Sequence, residues 1–84
     1  MNDKLKPAIN KYITAVTWCL LHWYKKHAHI ADGLKRVGLA EDELRILGVS
    51  ETAILKLIDL CAEKASQKNL APLEQEKIEK LLNS

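Results

Sequence analysis

The sequence predicts an all-α fold, a small helical bundle with one long N-terminal helix, a short helix, a core helix and a C-terminal helix. Composition is the first ground. Of 84 residues, 48% are hydrophobic and 29% charged, with no Phe, three Gly and two Pro, so the chain is rich in strong helix formers. Periodicity is the second. Ile9, Val16, Trp23, Ile30 and Val37 sit seven apart, and Ile13, Leu20, His27 and Leu34 sit seven apart between them. Together they make the alternating four-and-three spacing of a helical seam. Length is the third: so few residues make one domain, 1–84, with a core worth only a few kcal/mol of net stability.

Pro7 suits the first turn of the opening helix, where its missing N–H costs nothing. The apolar stripe stays in phase from Leu5 to Val37, so one unbroken helix is expected, ending on Lys35 and Arg36 with Gly38 just beyond. Asp32 and Gly33 are its weak point, at about 0.5–1 kcal/mol each against Ala. Glu41, Asp42 and Glu43 make an acidic first turn for a short helix from about Ala40 to Leu47, ended by Gly48. Ser50 caps a third helix whose apolar set (Ile54, Leu55, Leu57, Ile58, Cys61) covers over half its circumference, which makes it the expected core helix. Pro72 opens the last helix, with Leu73, Ile78, Leu81 and Leu82 on it.

Read as one helix, residues 5–37 would span about 50 Å, against a diameter of roughly 30 Å for a compact chain of this size. Such a helix overhangs its own domain and wants a second chain. A homodimer is therefore expected along a seam of Ile9, Ile13, Val16, Leu20, Trp23, His27, Ile30 and Leu34. His27, polar within that seam, either sets register and makes the contact pH-sensitive or sits half-exposed at a helix kink.

Charge is unevenly placed. Residues 1–36 carry seven basic side chains against two acidic ones, net +5, and residues 37–84 carry six against nine, net −3. Such a dipolar chain can pair head to tail with a copy of itself or offer its basic end to an acidic partner. Away from the seam, Trp18 and Leu21 lie among Lys11, Thr14, His22, Lys25 and His29, a basic-aromatic surface expected to bind a partner protein. Cys19, His22, His27 and His29 are spaced too loosely for a metal site, and solvent-facing histidines are the simpler reading. Catalysis finds no foothold, since there is no Gly-rich phosphate loop and no nucleophile with a recognisable base. No cofactor is expected.

The segment from Leu44 to Leu57 resembles the helix-turn-helix of small bacterial regulators, with Gly48 at the turn, Val49 beneath it, Ser50 as cap, and Ile54 and Leu57 inward. The resemblance implies DNA contacts from Ser50, Thr52 and Lys56. It departs from the pattern at Glu43 and Leu44, where an apolar and a small residue are expected. Glu51, Asp59 and Glu63 on the second helix oppose phosphate, so nucleic acid is not the favoured partner. A membrane-surface role through Trp18, Trp23, Tyr24 and Lys25-Lys26 ranks lower still. Tyr12 to Tyr24 is too short to span a bilayer, and two cysteines in apolar stretches fit a reducing cytoplasm. The expectation is a non-enzymatic bacterial or phage regulator that acts by contact.

Overall fold

The computed structural model describes residues 3–22, 27–69 and 71–82, with residues 27–29 described by backbone alone. Four helices account for most of them: α1 (Leu5–Leu21), α2 (His27–Ile46), α3 (Glu51–Ser66) and α4 (Gln75–Leu82). The fold is a small all-α bundle, as the composition and periodicity predict. Its extents are 38 × 26 × 20 Å.

The expected long helix is two helices. The helix ends at Leu21, and the next begins at His27 and returns antiparallel along it. Lys11 of α1 meets Glu43 of α2 at 3.6 Å, while Gly33 of α2 lies against Trp18 and Cys19. α1 therefore ends at Leu21, and Asp32 lies inside α2. His22 supplies a local reason. Its backbone N–H donates to the Trp18 and Cys19 carbonyls, and its ring Nδ1–H donates to the Trp18 carbonyl at 2.8 Å, so two of the carbonyls at the helix end are bonded by His22 itself. The energetic reason is larger. Folding back buries the apolar stripe inside one chain, at roughly 1.5–3 kcal/mol per large side chain.

That folding corrects the seam. Ile9, Ile13, Val16 and Ile30 are buried within the single chain, so no second copy is needed to cover them. Leu20 and Leu34 are 44% and 48% exposed. Trp23 lies outside the described residues, as does the His27 side chain.

Gly38 does not end a helix either, and no separate short helix follows. Ile30, Gly33, Ala40 and Leu44 are buried, with Val37 and Leu47 half-buried beside them. This period of three and four runs unbroken through α2, and burial along it outweighs about 1 kcal/mol lost at an open glycine. A Cβ at Gly38 would meet nothing within 4 Å. Gly38→Ala is therefore expected to stabilise the chain by about 0.5–1 kcal/mol, read from urea unfolding.

The true stop is Gly48, with φ +91°, a conformation that side chains resist. Gly48 N–H donates to the Arg45 carbonyl and Val49 N–H to the Leu44 carbonyl, while Val49 and Leu44 share the core. This is a Schellman ending. α3 ends the same way, with Lys68 left-handed at φ 54° and the Lys68 and Asn69 N–H groups returning to Ala65 and Lys64. Ser50 caps α3 as expected, accepting from the Ala53 N–H at 3.1 Å.

α1, more than α3, is the central helix: α2, α3 and α4 all pack on it, whereas α2 and α3 meet chiefly at their corner, through Arg45–Glu51 and the Leu44 cluster. α4 starts at Gln75, three residues after Pro72. The segment before it is pinned to α1 where Leu73 N–H donates to Asn10 Oδ1 at 2.8 Å. Ile78 then closes the core over Tyr12, Leu44, Ile54, Leu57 and Cys61.

Candidate functional site: a groove between α1 and α2

Helices α1 and α2 pack closely at one point because Gly33 has no side chain. A Cβ there would stand 2.7 Å from Trp18 Cζ3 and 2.8 Å from Cys19 Sγ, closer than atoms can approach. The six-membered ring of Trp18 therefore packs directly against α2 at Gly33. The indole also stacks on His22, ring centroids 4.5 Å apart and planes 18° from parallel. Trp18 is held in place yet only half-buried.

Beside it runs an open groove of about 460 Å³, lined by Pro7, Asn10, Lys11, Thr14, Ala15 and Trp18 of α1 with Gly33 and Arg36 of α2. That volume lies in the range of binding pockets, and an apolar floor with a few polar groups at the edge is their usual make-up. Lys11 and Arg36 put positive charge on the rim, and none of the lining residues is acidic.

Of the partner surface expected from the sequence, the structure brings together Trp18 and Lys11, and sets His22 behind Trp18. Leu21 is half-buried at the end of α1. Lys25 and the His29 side chain lie outside the described residues. Thr14, beside Trp18 in the sequence reading, also lines the groove, while Pro7, Asn10, Ala15, Gly33 and Arg36 complete it and are not in the expected set. Their small or unremarkable side chains carry no pattern of their own; only the return of α2 along α1 gives them a common purpose.

The α2–α3 corner is organised around its own charges. Arg45 donates from Nε to Glu51 Oε1 at 2.6 Å, and also reaches Glu41 at 3.0 Å and Asp42 at 3.2 Å. The Arg45 hydrogen bond holds the Glu51 carboxyl below its ordinary value. Ser50 spends its hydroxyl on the cap, Thr52 is exposed, and Lys56 is half-buried.

Buried polar groups elsewhere serve the fold. Lys64 is 6% exposed, and its Nζ donates to the Ala71 carbonyl at 2.6 Å, tying the α3–α4 connection down. Cys19 and Cys61 are free and buried; burial raises both thiols, which lowers their reactivity. Burial, helped by the nearby Glu41 charge, pushes Tyr12 up to about 12 from an ordinary 10.0. The folded state thus prefers neutral Tyr12. That preference is fully present below pH 10 and is lost as pH climbs toward about 12. Urea midpoints should fall across this window, and fall less in Tyr12→Phe.

Among the described residues no group of three or more His, Cys, Asp or Glu side chains is placed to hold a metal, and no helix is long and apolar enough to cross a membrane. Comparison with protein families, with curated proteins and with solved structures finds no match for this chain.

Proposed function

We propose that this chain is a small, non-enzymatic interaction protein that regulates by contact, with the α1–α2 groove around Trp18 as its recognition surface. The observation that carries this reading is a tryptophan fixed by packing on Gly33 and His22 yet left half-exposed beside the groove. Rigid, half-exposed aromatics beside arginine are the residue types that dominate binding energy at protein interfaces. The free, buried thiols support a reducing compartment such as the cytoplasm.

The α2–α3 corner supports DNA reading less well. Arg45 is occupied by three carboxylates, and Glu51, Asp59 and Glu63 are exposed along α3, where they would repel phosphate.

Affinity capture from nuclease-treated lysate tests the reading, with wild-type and Ala15→Tyr protein compared at matched folding. Ala15 lines the groove, so a neutral, bulky side chain there should remove the specific partner. Identical capture by both proteins would overturn the groove as the recognition surface.

A further inference from the structure

Resting on that protein-binding reading, we infer that the groove receives an acidic amphipathic helix, its apolar face seated on Trp18 and its flanking carboxylates meeting Arg36 and Lys11.

The shape argues for a helix. On α1 the lining runs from Pro7 to Trp18, about 16 Å at 1.5 Å per residue, or three turns. Its walls are two antiparallel helices whose ridges are kept low by Ala15 and Gly33, the surface on which a third helix packs. Strand addition finds no place here, because the groove is walled by helices whose backbone groups are spent within them. A Pro-rich segment needs a groove lined with several aromatics, and Trp18 is the sole aromatic in this lining.

Charge argues for acidity. The rim presents two cations and no carboxylate. Arg36 makes no ion pair among the described residues, and it offers a planar fork that suits a carboxylate. Lys11 is paired only loosely, at 3.6 Å to Glu43, with both side chains well exposed. Such a pair contributes little and exchanges readily for another carboxylate. The net +5 of residues 1–36 extends the same field beyond the rim.

The test is a displayed library of helical peptides of about four turns, with aliphatic or aromatic anchors at i, i+3 and i+7 and randomised flanking positions. Selection should enrich Asp and Glu beside the anchors. The best peptide should bind Arg36→Glu protein about tenfold or more weakly and regain affinity when its flanking acids become lysines. Ala15→Tyr should abolish binding; Thr14→Tyr, at an exposed position on the same wall, repeats the test if Ala15→Tyr does not fold. Enrichment of neutral or basic flanks, indifference to Arg36→Glu, or no enrichment at all would each overturn the acidic helix. The groove reading stands through those outcomes if lysate capture still depends on Ala15. Peptide binding that survives both groove-filling variants would instead count against the groove itself.

Discussion

Leu44→Ala should unfold this protein or bring it to the edge of unfolding. Leu44 is fully buried at the point where α2 ends, packed in the cluster that joins Tyr12, Val49, Ile54 and Leu57. Its carbonyl also accepts the Val49 N–H that shapes the Gly48 turn. Deleting three side-chain carbons there loses their transfer energy and leaves a cavity, about 2–5 kcal/mol in all. A domain this small has only about that much to lose. Ile46, two residues on, is 84% exposed, and Ile46→Ala should fall within about 0.5 kcal/mol of wild type. Circular dichroism during urea unfolding distinguishes them, and equal effects would contradict the placement of α2.

The second large effect is expected at Gly33. Its missing Cβ already stands 2.7 Å from the Trp18 ring, so Gly33→Val adds three carbons where none fits. Helix propensity would favour the change by a few tenths of a kcal/mol. Overpacking costs typically about 1–3 kcal/mol, and the ring it strikes is already held by His22. Steric cost wins. The helices should be pushed apart, with a lower melting temperature and red-shifted indole emission in a Trp23→Phe background, which leaves Trp18 as the only tryptophan. Gly38→Val, facing open space, should produce neither change. A Gly33→Val protein as stable as wild type would mean that Trp18 does not rest on α2.

The helical class, the Ser50 cap and the Gly48 stop were legible because each rests on local chemistry or on one helix's own period, whereas of the apolar set expected on α3 Ile54, Leu57 and Cys61 are buried but Leu55 and Ile58 are exposed. The break between Leu21 and His27 was not legible. A spacing of four and three carries on unchanged whether the helix runs ahead or folds back, since the same stripe faces a second chain in one case and the rest of its own chain in the other. Gly33 shows the same ambiguity. In sequence it reads as a weak link in a helix, whereas in space it is the close approach where Trp18 packs against α2. Gly38 misled differently, because a glycine after two basic residues has the chemistry of a helix end, and only burial of Ala40 and Leu44 in phase carries α2 past it. Trp18 and Lys11 were legible as a surface, but Arg36 joins them only across the hairpin.

Site-specific photocrosslinking in living cells tests the central claim most directly. A photoreactive residue replacing Thr14 sits on the groove wall, and one replacing Leu55 sits on the exposed side of α3, 62% open to solvent. Irradiation should give a discrete adduct with another protein from position 14, lost when Arg36→Glu is combined with it, and no matching adduct from position 55. Adducts from position 55 with none from position 14 would contradict the account. They would move the recognition surface from the α1–α2 groove to α3.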